Sequence, residues 1–236
     1  MNPAPYRVNA RWPETPATAT VRLDPVGEPL PGFVPGQFAR IGGRSLPVSA
    51  LPTNGGLGVT ARRIDGPAYT TRIGDRLELT GPYGSGWQLE KALGHDLLII
   101  AYGIGLATLR PLIRDAVADP RAYGRLNVLI GAPDPSTLMA RHETAHWPTA
   151  LTALTVDCPG PGWYGAAGPV HTLLSRAHFD PGHTTAFLCA PRHLLRATAQ
   201  QLLRHGLPPD RIVTGSLTDG RPTAPAPIRT WEESDA

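Results

Sequence analysis

The residues best suited to chemistry lie between Leu97 and Arg114, where Leu-Leu-Ile-Ile-Ala-Tyr-Gly-Ile-Gly-Leu-Ala-Thr-Leu-Arg-Pro-Leu-Ile-Arg reads as a strand, a glycine turn and a helix. Gly103 and Gly105 let backbone approach a diphosphate, and the N–H groups of the following first helical turn would face its negative charge. Thr108 stands where a third dinucleotide-fold glycine would be, and a tight turn without any ligand has the same pattern. Cys189 ends a later apolar run, at the strand edge where open parallel sheets bind ligands; a small apolar core residue is the other reading.

Two rival chemistries are weak. His142-Glu-Thr-Ala-His146 has the zinc-protease spacing, but Pro148 leaves little helix after His146, and no downstream His or Glu sits in a third-ligand context. The segment Leu138 to Trp147 reads instead as an amphipathic, solvated helix. Cys158 and Cys189 lie apart with no CxxC pair, so no metal site is expected, and Cys158 reads as a loop thiol. Gly84-Ser85-Gly86 lacks the spacing of a nucleophile elbow.

These motifs sit in a chain of 236 residues with 41% hydrophobic residues, long enough for one large domain or two modest ones. Gly and Pro number 26 and 27, below the density of a disordered chain. A pI near 9.1 raises the question of nucleic acid. The arginines are scattered singly or in pairs such as Arg62-Arg63, without interleaved aromatics, and Lys91 is the one lysine, so no nucleic-acid binding is expected. The start, Met-Asn-Pro-Ala-Pro, has no basic region leading into an apolar one, and the most apolar stretch, Leu97 to Ile113, contains Arg110. The expectation is a cytoplasmic protein without membrane insertion.

The apolar period changes near residue 92. Before it, short strand-like runs alternate with Gly/Pro punctuation: Tyr6–Arg11, Ala17–Leu23, Gln37–Ile41, Gly58–Arg62 and Arg76–Thr80. Such runs predict an antiparallel β-barrel or sandwich. Phe33-Val-Pro-Gly-Gln-Phe38, Leu46-Pro-Val-Ser49 and Thr80-Gly-Pro-Tyr-Gly-Ser-Gly-Trp87 read as turns with strand flanks. After residue 92, the runs Leu97–Ala101, Leu126–Ile130, Leu154–Asp157, Thr185–Cys189 and Arg211–Thr214 alternate with helix-like segments, which predicts an α/β domain with a five-stranded parallel sheet. In the last helix Leu195, Thr198, Ala199, Leu202 and Leu203 share a face, with Gly206 at the left-handed cap and Pro208 beyond. The expected organisation is a barrel over 1–91, an α/β domain over 92–216 and a loose tail over 217–236.

In this order the motifs resemble the ferredoxin-NADP reductase superfamily, and within it the flavin subunit of cytoplasmic NiFe hydrogenases and anaerobic sulfite reductases. The resemblance extends to about Ser216. Pro35-Gly36-Gln37-Phe38 resembles the family's strand entry, and Pro47-Val48-Ser49 its flavin-contacting segment. Thr60-Ala-Arg62 with Gly66 and Thr70 or Thr71 is similar to the flavin phosphate region, and Gly81 to Trp87 to the loop closing the barrel. Ala101-Tyr102-Gly103-Ile-Gly105-Leu-Ala107 resembles the nicotinamide diphosphate loop. Gly131-Ala132, Gly165 to Val170 and Cys189-Ala190-Pro191 resemble later landmarks of the nucleotide domain, with Cys189, the candidate catalytic residue, facing the nicotinamide–flavin contact. The resemblance implies a barrel for FAD, a sheet for NAD(P)H and a redox partner subunit as electron acceptor.

The departures set the alternative. Tyr102 replaces the loop's first glycine, Thr108 its proline, Ala190 the glycine of Cys-Gly-Pro, and Pro133 the arginine after Gly-Ala. The hydrogenase-type C-terminal cysteine cluster for a [2Fe-2S] centre is missing, since residues 190–236 contain no cysteine. A phenol at Tyr102 is expected either to obstruct the nicotinamide or to shield the flavin and move aside. The leading expectation is an FAD-dependent NAD(P)H oxidoreductase subunit; the alternative is a degenerate reductase fold serving as a docking or regulatory subunit.

Overall fold

The computed structural model describes residues 2–139, 143–144, 147–218, 221–222 and 225–228. The first six strands, β1 (Ala4–Thr15), β2 (Thr18–Pro25), β3 (Phe38–Ile41), β4 (Arg44–Thr53), β5 (Gly56–Arg62) and β6 (Arg76–Tyr83), close an antiparallel barrel in the order β1-β2-β5-β4-β3-β6. Alternation along each strand fills the barrel: Tyr6, Val21, Leu23, Leu46, Val48, Leu57, Val59 and Leu79 are all buried inside. Between β5 and β6 lie a 3-10 turn, Arg63–Asp65, and one short α-helical turn, α1 (Pro67–Thr70).

One barrel strand was not legible as such. Leu46-Pro-Val-Ser49, read above as a turn with strand flanks, is the middle of β4, where Phe38 pairs with Pro47 and Val48 with Val59. Pro47 and Pro52 within a strand, and glycine pairs on both sides, disguise it; register shifts after Val48 and after Ala50 show how the ladder accommodates the interruption.

The second half is a sheet in the order β10-β9-β8-β7-β11-β12-β15. Its five central strands, β9 (Ala150–Val156), β8 (Leu126–Ala132), β7 (Asp96–Tyr102), β11 (Thr184–Cys189) and β12 (Ile212–Gly215), are parallel, as expected from the alternating pattern. Two-residue strands extend it at each edge: β10 (Ala166–Ala167) parallel to β9, and β15 (Ala226–Pro227) antiparallel to β12. The near-continuous burial of β7, β8 and β11 fits a parallel sheet covered on both faces.

The crossovers depart in part from the expected helices. Two are α-helical: α2 (Gly105–Ala118) follows β7, and α3 (Arg192–Arg204) follows β11 and ends before Gly206 at φ +88°. Between β9 and β11 the helical segments are both 3-10, Val170–Arg176 and Pro181–His183, because Pro159, Pro161, Pro169 and Pro181 punctuate that stretch. The expected helix over Leu138–Trp147 lies partly outside the described residues, as do His142 and His146. Of the expected loose tail, the described residues form two strand pairings, β13 (Leu217–Thr218) with β14 (Arg221–Pro222) and β15 with β12; residues 219–220, 223–224 and 229–236 lie outside the described residues.

Barrel and sheet are joined by polar and aromatic anchors. Trp87 is buried, packs edge-on to Phe187 with centroids 6.0 Å apart, and donates from Nε1 to Thr108 O at 2.9 Å. Arg110 of α2, 3% exposed, makes a bidentate pair with Glu14 of β1 at 3.0 and 3.1 Å, and its Nε lies 2.7 Å from Glu143 Oε2. Thr20 donates to Glu14 at 2.6 Å, and Thr60 Oγ1 lies 2.8 Å from both Thr20 Oγ1 and Ser49 Oγ. A buried chain of hydroxyls thus connects β4, β5 and β2 to the ion pair that holds α2.

Candidate active site

Strand order decides where a ligand goes. The strand β7 enters at the middle of the sheet; the chain then builds β8 and β9 to one side, and β11 and β12 to the other. The carboxyl ends of β7 and β11 therefore flank a topological switch point, the place where open α/β sheets leave a crevice. A cleft of about 270 Å³ lies there, near the lower end of small-molecule sites. Its sheet side is formed by Tyr102–Gly105 and Cys189–Pro191, and its barrel side by Thr15, Ala17, Thr18 and Arg62.

Both helices that start at this crevice lack a side-chain cap. α2 begins after Ile104 and α3 after Pro191, and neither N-cap side chain bonds the first turn. In α2 the Leu106 and Ala107 N–H groups donate to Gly103 O and Ile104 O at 3.2 and 2.9 Å, which leaves the Gly105 N–H facing the crevice, and both helices carry the positive end of their dipole here. Arg62, tethered to Asp65 at 3.4 Å, adds a cation on the barrel side. Gly103 adopts φ +53°, and a Cβ there would meet nothing within 4 Å, so the turn faces open space. Gly105 has the opposite role: a Cβ would lie 2.2 Å from Cys189 O, so its absence lets α2 press against β11. This donor set fits a diphosphate, and Ile104, Pro133, Met139 and Pro191 give the same cleft an apolar lining suited to a flat ring.

Tyr102 turns aside from the glycine turn. Its ring packs against Gly131, where a Cβ would come within 3.0 Å of Tyr102 Cδ2, and its hydroxyl donates to Asp157 beyond β9. Burial, and the neighbouring carboxylate that accepts its proton, raise the phenol's pKa, so it stays neutral. The ring forms part of the cleft wall and leaves Gly103 open. Thr108, in the place of the third glycine, donates from Oγ1 to Gly105 O at 2.9 Å and so closes the first turn on itself.

The Cys189 thiol is buried, and burial pushes its pKa up to about 12, opposed by a hydrogen bond with Thr108. It is therefore a neutral thiol beside the crevice, not a nucleophile. Cys158 is exposed and free. A thiol-alkylating reagent at pH 8 is expected to label the native protein once, at Cys158, and to reach Cys189 only after denaturation. Two rapidly labelled thiols, counted by mass spectrometry, would contradict this burial.

The site residues expected from sequence divide into two groups. Arg62, Tyr102, Gly103, Gly105, Cys189 and Pro191 meet in the cleft, with Gly131 behind Tyr102. Pro47, Val48, Ser49, Thr60 and Gly81 are buried and form no part of its lining. Val48 points into the barrel core, and the Ser49 and Thr60 hydroxyls are spent on each other and on Thr20. Gly66 and Thr70 lie at α1, also outside the cleft, where Thr70 is exposed. Thr15, Thr18, Thr137 and Asp157 were not anticipated; each stands in a turn or at a strand end whose position depends on tertiary packing.

Comparison with known proteins settles the family. The chain is 30% identical over 198 residues to a probable dihydroorotate dehydrogenase B (NAD(+)) electron transfer subunit from Methanocella arvoryzae, covering 83% of this chain and 71% of the relative. The chain belongs to the ferredoxin-NADP reductase superfamily. Another member, sulfhydrogenase 1 subunit gamma of Pyrococcus furiosus, is 26% identical over 194 residues, covering 76% of this chain and 66% of that subunit. Among solved structures, the flavohem-like FAD/NAD binding domain of nitric oxide dioxygenase from Vibrio cholerae superposes with a TM-score of 0.78 at 16% identity, over 92% of this chain and 99% of that one, which supports the superfamily fold. No protein-family model matches the chain. No helix among the described residues is long and apolar enough to cross a membrane, and no group of three or more His, Cys, Asp or Glu among them is placed to hold a metal ion.

Proposed function

We propose that this superfamily member is an FAD-dependent reductase component that takes electrons from NAD(P)H and passes them to a redox partner subunit. The observation that carries the reading is the convergence of two uncapped helix N-termini and Arg62 on one apolar-lined crevice at the switch point. Its relatives, among them a probable electron transfer subunit, a gamma subunit of a sulfhydrogenase and the reductase component of phenol 2-monooxygenase, support a role within a larger redox assembly. Bound FAD would accept electrons as a pair and release them singly.

The chain's own residues bind and position. Arg62 and the first-turn amides of α2 and α3 hold phosphate charge; Ile104, Met139 and Pro191 exclude water around flat rings; Tyr102, fixed by Asp157, sets the width of the nicotinamide side. We assign the barrel, residues 1–91, to FAD and residues 92–216 to the nicotinamide nucleotide. The Cys189 thiol serves as a neutral contact beside the rings. Residues 190–236 contain no cysteine, so they offer no thiolate ligand for an iron–sulfur centre. The two free thiols support a reducing compartment, and we place the protein in the cytoplasm.

Fluorescence titration of the purified chain with FAD tests this reading. Wild type is expected to bind and quench the flavin. Arg62→Ala removes a charge-assisted contact and is expected to weaken binding roughly ten- to a hundredfold. Ser49→Ala, outside the cleft, is expected to keep FAD affinity within about twofold while costing about 1 kcal/mol of stability. Wild type that neither retains FAD nor takes it up would overturn the proposal.

A further inference from the structure

A second cavity of about 290 Å³ lies on the far side of Trp87, between the start of the sheet and the barrel-closing loop. It has room for roughly ten water molecules, enough for one substituted ring. Its composition is unlike that of the first cleft. Trp87, Phe187 and Val213 form an apolar floor, and Pro225 and Pro227 of the β15 segment form a wall. Around this floor stand Lys91, His95 and Arg211, with Asp210 the one carboxylate among the lining residues.

Arg211 and His95 are held in place by hydrogen bonds. Arg211 donates to Gly182 O, and His95 Nδ1 lies 2.9 Å from Thr185 Oγ1. The His183 ring stands 5.3 Å from that of His95. His95 is also harder to protonate than usual, from burial first and then from the positive charge of Arg211 and His183. An apolar floor beside the tethered Arg211, the exposed Lys91 and a histidine suits a flat apolar body carrying a single anionic group.

We propose that this cavity is a second ligand site, separate from the electron-transfer cleft, for a small single-ring organic anion. The ring lies on Trp87 and Phe187, and the carboxylate or phosphate faces Lys91 and Arg211. The occupant would be two hydrogen bonds from the first cleft, because Trp87 donates to Thr108 O and Thr108 donates to Gly105 O. The site does not depend on the flavin assignment, since none of its residues lines that cleft.

Isothermal titration calorimetry on the full chain tests the site with four probes: phenyl phosphate, benzoate, inorganic phosphate and neutral benzyl alcohol. Phenyl phosphate and benzoate are expected to bind saturably at one site, and inorganic phosphate and benzyl alcohol at least tenfold more weakly. Lys91→Gln, an exposed position, and Arg211→Gln are each expected to weaken both aromatic anions at least fivefold; thermal melts identify any variant that misfolds. Absence of binding by both aromatic anions, equal affinity for inorganic phosphate, or unchanged affinity in the well-folded Lys91→Gln protein would each overturn the proposal. The last result would assign any observed binding to the first cleft, where Arg62 is the cation.

Discussion

Replacing Arg110 by alanine is expected to destabilise the protein by about 3–5 kcal/mol, the penalty typical of breaking a buried ion pair from one side. The guanidinium is 3% exposed and serves two carboxylates at once, Glu14 through both terminal nitrogens and Glu143 through Nε, while Glu143 also takes Arg114 at 2.7 Å. Alanine leaves Glu14, only 15% exposed, facing Thr20 with no cation, and opens the seam between β1 and α2. Against a total stability of roughly 5–15 kcal/mol this is a large fraction. Urea unfolding followed by circular dichroism measures it; a loss below about 1 kcal/mol would show that the pair is solvated and does not hold the two halves together. Because α2 also forms one side of the cleft, FAD affinity is expected to fall with stability in this variant.

Gly105→Ala is expected to have the larger effect on activity. A Cβ at this position would lie 2.2 Å from Cys189 O and 2.8 Å from its carbonyl carbon, both backbone atoms at the end of a buried strand. Either α2 or the end of β11 must move, at a cost of about 1–3 kcal/mol. Both elements carry an N-terminus or turn of the cleft, and a displacement near 1 Å can reduce a positioned reaction by roughly 100-fold. Gly103→Ala is the contrast: its Cβ would meet open space, and the left-handed backbone alone costs about 1–2 kcal/mol. Stopped-flow reduction of the FAD-loaded variants by NADH, with melting temperatures as the check on folding, separates the two. A Gly105→Ala protein reduced as fast as wild type would contradict the close packing of α2 on β11.

These two positions mark how far the sequence could be read. Gly105 was legible because strand, turn and helix are contiguous and the glycine spacing has a local physical meaning. The parallel strands were legible because each contains a short local apolar run, doubly buried in β7, β8 and β11. Arg110 stood out only as a charge inside an apolar stretch; its partner Glu14 is 96 residues away, and no local period carries that information. The β4 strand was hidden by its own prolines. Assigning Pro47, Val48 and Ser49 to the cofactor followed the family's motif order, yet whether those side chains face a cleft, the barrel core or a hydroxyl chain is set by β-register, where one residue's slip reverses the face. Tyr102 shows the converse: the sequence locates a bulky ring at the turn, but only Gly131 and Asp157, brought in by β8 and β9, decide that it swings aside.

The account stands most directly on anaerobic reduction of the FAD-loaded protein, mixed separately with excess NADH and NADPH while the visible flavin absorbance is followed. Loss of that absorbance with at least one nicotinamide, slowed in Arg62→Ala reconstituted at saturating FAD, is the expected result. Flavin that stays oxidised with both nucleotides, yet is bleached at once by dithionite, would contradict electron entry through this cleft.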